Sequence, residues 1–382
     1  MFNSSIKSAF SRLVQNIKKP LEEKKLADFI HDELHFIQQQ IPNNTTQKKG
    51  TAIIKCDDIG DFLMWQQVIP FIKQHAEKPI CFIGNKALQS LIESKFNFAD
   101  AYIWVDKKKW GNKEYRIEQY KAINKLNVNI ATTTLFTRHL KLDDLLLYAS
   151  NANQRIAWNI SHHAYFPKIK NIDQITTQTI KTDIKIELEY FRNIEFINKL
   201  YNANLPKEIN PLYNEFKKQN KLAVVPLGNI KSKCWHADNY VQTLKSIESY
   251  FESIVILGGT DGIETGDYIS QRCNSTKIQN LCGKTSIEDL FTIIGESQLV
   301  LCPDTSTLHI AVQTNTNVVL LSNGTNWQRF TNYAPYTKNK ISVIYPPHFK
   351  PKFEKIKLQY SRSEINSIKP NTVINCIKQL IN

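Results

Sequence analysis

Short runs of β-branched and aliphatic residues recur along the chain, separated by stretches whose apolar positions fall at helical spacing. Thr51-Ala52-Ile53-Ile54-Lys55 is the first run; a helical segment follows Asp61, and then comes Ile80-Cys81-Phe82-Ile83. A second series starts at Leu222-Ala223-Val224-Val225-Pro226 and continues at 254–257, 299–302 and 318–321. Runs this short and continuously apolar suit strands buried on both faces, and their alternation with helices predicts an α/β protein with parallel sheets. Pro206 and Pro211 interrupt a Lys- and Asn-rich stretch near 203–220, between the two series. Two doubly wound, Rossmann-like lobes are therefore expected, at 49–205 and 206–362. From Ser363 onward, Pro370 stands near a helix start and Val373, Ile374, Ile377, Leu380 and Ile381 share a face, which predicts a closing helix within 363–382.

The first 48 residues read as a helical amino-terminal extension that ends in the polar loop Pro42-Asn43-Asn44-Thr45-Thr46-Gln47. Phe2, Ile6, Phe10, Leu13, Val14 and Ile17 form an apolar stripe, while Lys7, Arg12, Lys18 and Lys19 add positive charge before the first acid, Glu22. Such a basic amphipathic helix suits either docking on the protein's own surface or contact with an anionic membrane face.

Composition narrows the partners. Across 382 residues, 49 Lys and Arg stand against 35 Asp and Glu, a net charge of +14, so anionic partners are expected: nucleic acid, acidic headgroups or phosphorylated small molecules. No recognisable nucleic-acid motif accompanies the charge, and nucleic acid is not the expected partner. The seven cysteines, at 56, 81, 234, 273, 282, 302 and 376, are scattered without metal-ligand spacing, which reads as reduced thiols. No apolar run approaches the roughly 18 to 20 residues that span a bilayer. These features predict a cytoplasmic protein.

The loops at the strand ends hold the candidate chemistry. After the first strand comes Cys56-Asp57-Asp58-Ile59-Gly60-Asp61; Asp61 reads either as a helix cap or as a general base facing a ligand crevice. Asp57 and Asp58 point different ways at a strand end and make a weak metal site. In the second series, Gly228-Asn229 leads to Lys231-Ser232-Lys233-Cys234-Trp235, where Lys233 can neutralise a diphosphate and Trp235 fix the loop. Asp304-Thr305-Ser306-Thr307-Leu308-His309 joins a strand to a helix start, where hydroxyls and backbone N–H groups suit a pyrophosphate and Asp304 either caps the helix or binds sugar hydroxyls. The Gly258-Gly259 turn departs from a dinucleotide fingerprint, and Glu264 beyond it reads as a ribose ligand or a surface acid.

In this order the segments resemble glycosyltransferase family 9, the bacterial lipopolysaccharide heptosyltransferases, from Thr51 to Asn382. The matching stretches are Ile59-Gly60-Asp61 with Pro70 nine residues later, Lys233-Cys234-Trp235, 255–259, 280–286, Asp304 to His309, and the late helix around Val373. The resemblance implies a GT-B fold with two Rossmann-like lobes facing a cleft, the acceptor on the first and a nucleotide sugar on the second. It further implies Asp61 as catalytic base, Gly60 and Arg138 on the acceptor side, and Lys233, Asp304, Thr305, Ser306, Thr307, His309 and Glu264 as donor-binding residues. No metal and no cofactor are expected beyond an ADP-linked sugar as co-substrate; the partners are that donor and a lipid-linked glycan acceptor, with peripheral contact at an anionic inner membrane face. The reaction implied is inverting transfer of a heptose onto a lipopolysaccharide core. Ser306 stands where the family usually has Gly, and Ser322-Asn323-Gly324-Thr325 replaces its common Phe-Gly-Pro-Thr loop. A sugar-nucleotide epimerase, another GT-B transferase, or a non-catalytic binder of anionic glycan or nucleic acid are the alternatives.

Overall fold

The computed structural model describes residues 22, 24–42, 47–159, 172–182, 187–213, 215–228, 230–325, 327–349 and 364–381. The apolar stripe between Phe2 and Ile17 lies outside them. The described residues divide into two compact units. One draws on Met1–Asp58, Ile69–Asp183 and Phe196–Ala203, the other on Ile59–Val68, Ile184–Glu195 and Asn204–Asn382.

The first unit is built on six parallel strands, β1 (Thr51–Lys55), β2 (Ile80–Asn85), β3 (Ala101–Val105), β4 (Ile130–Thr133), β5 (Gln154–Trp158) and β6 (Gln178–Ile180), in the order β3-β2-β1-β4-β5-β6. Every residue of β1 and β2 is buried, as expected where helices cover both faces of a sheet. Lys55 alone is charged in β1, and its ammonium meets Asp57 at 2.7 Å just past the strand end.

Helix α1 (24–40) completes this core. Ile30, Leu34 and Ile37, spaced at helical intervals, are buried in one cluster with Ala52, Ile54, Leu145 and Leu146. Glu33 on the same face accepts a 2.8 Å bond from Arg116 Nε and a 3.1 Å bond from the Tyr120 hydroxyl. The part of the extension that is described is thus a wall of the first unit, because burying three large aliphatic side chains outweighs leaving the helix in water.

The second unit repeats the plan with β7 (Gln219–Val224), β8 (Ser253–Ile256), β9 (Ile278–Asn280), β10 (Ser297–Pro303), β11 (Asn317–Leu321) and β12 (Ile341–Ile344), ordered β12-β11-β10-β7-β8-β9. The closing helix runs over Pro370–Ile381 and buries Val373, Ile374 and Ile377 against this unit's core. In both sheets the order reverses beside the first strand: between β1 and β4 in one, between β7 and β10 in the other. Loops at the carboxyl ends of strands flanking such a reversal diverge and leave room for a ligand.

Candidate active site at the β7–β10 switch point

β7 and β10 pair in parallel, with Leu222 opposite Leu299 and Val224 opposite Leu301. Beyond β7 the chain forms a short turn at Lys231–Lys233; beyond β10 it reaches Asp304 and Thr305 and enters the helix Ser306–Gln313. The two loops meet in an ion pair, Lys233 Nζ to Asp304 Oδ2 at 2.6 Å, with the lysine 16% and the aspartate 5% exposed. Several contacts hold the Lys233 turn. Buried Trp235 donates from Nε1 to the Ile368 carbonyl at 3.0 Å, Asn323 Nδ2 donates to the Ser232 carbonyl at 3.1 Å, and the Gly228 N–H reaches Cys234 Sγ at 3.3 Å. Trp235 therefore fixes the loop by packing, as the sequence suggests.

Asp304 does not cap the helix that follows. Thr305 occupies the cap position, extended at φ −140° and ψ 177°, and its side chain makes no capping bond; its hydroxyl points back to the Pro303 carbonyl at 3.4 Å. The carboxylate of Asp304 is drawn instead to Lys233, since a partly buried carboxylate gains more from an ammonium than from a neutral N–H. The helix start, with no acid in its first turn, keeps its leading N–H groups and dipole available for an anion.

His309 lies three residues further along this helix and is buried. Its Nδ1 meets the Tyr333 hydroxyl at 2.8 Å. Burial, and secondarily the positive charge of Lys233, lower its pKa to about 3, so the imidazole is neutral near pH 7. The ring's other edge lies on Gly60: a Cβ built there would stand 2.7 Å from His309 Cδ2 and 3.3 Å from Nε2. Only glycine permits that approach.

Gly60 belongs to the short helix Ile59–Trp65, which packs on the Ser306–Gln313 helix within the second unit. Asp61 is the third residue of that helix, inside its first turn rather than at the cap, and is partly buried. An acid there is favoured by the dipole. The segment is anchored by bonds from Asn193 Nδ2 to the Met64 carbonyl, 3.3 Å, and from Gln67 Nε2 to the Tyr190 carbonyl, 3.2 Å. The expected lobe 49–205 separates Asp61 from residues 304–309; in the packing of this molecule Ile59–Val68 sits with them.

The remaining candidates belong to other elements. Glu264 is exposed in the first turn of the helix Ile263–Cys273, which follows β8, the strand beside β7. Arg138 is in the first unit, buried, with Nε 2.8 Å from Asp144 Oδ1 and Nη1 3.3 Å from the Trp158 carbonyl. Asp57 and Asp58 each pair with a lysine, Lys55 and Lys107. Two contributors had no motif to mark them in the sequence. Tyr333 reaches His309 from a turn 24 residues further on, and Asn323 braces the Lys233 loop from the segment 322–325.

Residues 181–360, which hold Lys233, Asp304 to His309 and Tyr333, match the family model for glycosyltransferase family 9 (heptosyltransferase). The matched stretch, 180 of the 382 residues, is similar to that family. A curated relative, lipopolysaccharide heptosyltransferase 3 of Escherichia coli K12, is 25% identical over 126 residues, 32% of this chain and 36% of its own length. The match thus spans about a third of that relative. Among solved structures, E. coli heptosyltransferase WaaC with ADP superposes with a TM-score of 0.67 at 13% identity, covering 86% of this chain and 99% of that one. A family 9 glycosyl transferase from Veillonella parvula gives 0.63 at 15% identity over 89% and 99%. These likenesses establish the two-lobe α/β architecture of the GT-B type. Among the described residues no helix is long and apolar enough to cross a membrane.

Proposed function

We propose that this protein transfers a heptose from ADP-heptose onto a hydroxyl of a lipopolysaccharide core acceptor, with inversion at the anomeric carbon. The observation that carries this reading is the gathering of Asp61, the Lys233–Asp304 pair and the uncapped helix start at 305–307 within one compact unit. Asp61 takes the proton of the acceptor oxygen as that oxygen attacks the anomeric carbon. The bond to the diphosphate breaks, and its developing charge falls toward Lys233 and the N–H groups of Ser306 and Thr307. Asp304 accepts hydrogen bonds from the sugar, and Glu264, one strand over, from the ribose. Fixed positive potential at the leaving group is the service a divalent cation performs in other transferases, and transfer without metal is part of the proposal. Gly60 and Arg138 are assigned to the acceptor side on family resemblance.

The test is transfer by the purified protein from ADP-heptose to a core acceptor, followed by ADP release and acceptor mass. Asp61→Asn should fold and bind donor as the wild type does, yet lose roughly 100-fold or more in transfer. Near-normal turnover by that variant would remove Asp61 as the base. The basic amphipathic segment within residues 1–20 is proposed to hold the enzyme at the cytoplasmic membrane face, where a lipid-linked acceptor is presented. Deleting residues 1–20 should abolish salt-sensitive sedimentation with anionic vesicles while transfer to a soluble acceptor fragment persists; equal sedimentation after deletion would refute it.

A further inference from the structure

His309 and Tyr333 are both more than nine-tenths buried, and the bond between Nδ1 and the phenol oxygen is 2.8 Å. Neither atom has a second hydrogen-bond partner among the described residues. The phenol is held from below by backbone turns, Tyr333 N–H to the Thr331 carbonyl at 2.9 Å and Tyr336 N–H to the Tyr333 carbonyl at 2.8 Å. Burial foremost, with Tyr190, Asp304, Asp61 and Glu189 around it, pushes the Tyr333 pKa far up, so the hydroxyl keeps its proton. The charge of Lys233 also opposes protonation of the ring.

A neutral imidazole carries one N–H, and two arrangements are open. If Nδ1 held the proton and donated to the phenol, the phenol's own O–H would be buried without an acceptor among the described residues, a costly state. If the phenol donates, both atoms of the bond are satisfied and the ring proton is left on Nε2. That nitrogen lies on the Gly60 edge of the ring, 3.3 Å from where a Gly60 Cβ would stand, a point itself 3.7 Å from Ser306 Cα.

We propose that Tyr333 is a positioning residue: its hydroxyl donates to His309 Nδ1, fixes the Nε2–H tautomer, and so presents a neutral N–H donor where the helix start of Ser306 meets the Gly60–Asp61 turn. The donor is oriented before substrate arrives and needs no rearrangement during reaction. Its partner is an oxygen of the bound nucleotide sugar, an assignment that rests on the function proposed above.

Histidine-selective 15N labelling tests the tautomer in the substrate-free protein. The His309 signals among the nine histidines are identified by their loss in His309→Gln. Wild type should show Nε2 protonated and Nδ1 bare, and Tyr333→Phe, which keeps the ring and its packing, should shift the signal toward a mixture. With ADP-heptose, Tyr333→Phe should lower kcat about tenfold, as loss of one orienting hydrogen bond allows, and leave KM within about twofold. An Nδ1–H tautomer in the wild type, or an unchanged tautomer in Tyr333→Phe, overturns the proposal. Failure of the wild type to turn over ADP-heptose overturns the functional reading instead, while the spectrum still decides the tautomer.

Discussion

Replacing Gly60 with alanine should separate folding from catalysis. The added methyl would lie 2.7 Å from His309 Cδ2, 3.3 Å from Nε2 and 3.7 Å from Ser306 Cα. Carbon atoms in contact settle at about 3.5 to 4 Å, so the helix start and the imidazole must part by roughly 1 Å. His309 cannot swing aside without giving up its 2.8 Å bond to Tyr333, and Leu308, Ile310 and Ala311 around it are fully buried. The yielding part is therefore the Ile59–Trp65 helix, and Asp61 moves with it. Overpacking of this kind costs about 1 to 3 kcal/mol. Alanine returns up to about 1 kcal/mol through its greater helix propensity. A net loss of about 0 to 3 kcal/mol leaves the protein folded, whereas displacing Asp61, the proposed base, by roughly 1 Å should cost about 100-fold in transfer. Thermal melting, calorimetric titration with ADP and the transfer assay together read the three quantities. Wild-type transfer by a folded Gly60→Ala protein would show that the Gly60–His309 contact does not set the position of Asp61.

Lys233→Ala should weaken donor binding about tenfold, and Asp304→Ala should reduce donor engagement or turnover, both variants folding cooperatively but melting lower because the remaining charge loses its partner; unchanged calorimetric affinity and unchanged transfer in both variants would place the donor elsewhere. Stability should rise with pH between about 3 and 6.5, because the folded His309 stays neutral there while the unfolded chain binds a proton. Its contribution is complete above 6.5 and is lost as pH falls toward about 3; urea midpoints of wild type and His309→Gln across that range should diverge in slope.

Much of this was legible in the residues because buried parallel strands are written as unbroken apolar runs. Thr51–Lys55 agrees with its expected bounds, and the strands at Val224, Ile256, Leu301 and Leu320 fall where their runs lie. Strands that carry polar residues left no such mark: Ile130–Thr133 ends in threonines, Gln154–Trp158 opens on Gln and Arg, and Ile278–Asn280 is three residues long. The candidate anion-binding loops could be found since glycine, hydroxyl and acid residues cluster at strand ends. Their pairing could not, because whether Asp304 caps a helix or holds Lys233 depends on a loop 71 positions away. Tyr333 was beyond reach for the same reason: a lone tyrosine in a turn carries no periodicity, and only the fold brings it to His309.

The seating of the helix at 24–40 sets where this protein can be shortened. Cutting just ahead of Thr51 looks natural from the position of the first strand, yet it would strip the cover from the Ala52, Ile54 and Leu146 side of the core and leave the Arg116 guanidinium without Glu33. A fragment trimmed that way would present a greasy, positively charged scar and would be prone to clump on expression. Anyone preparing a minimal version for crystallisation or screening has to keep the helix at 24–40 whole.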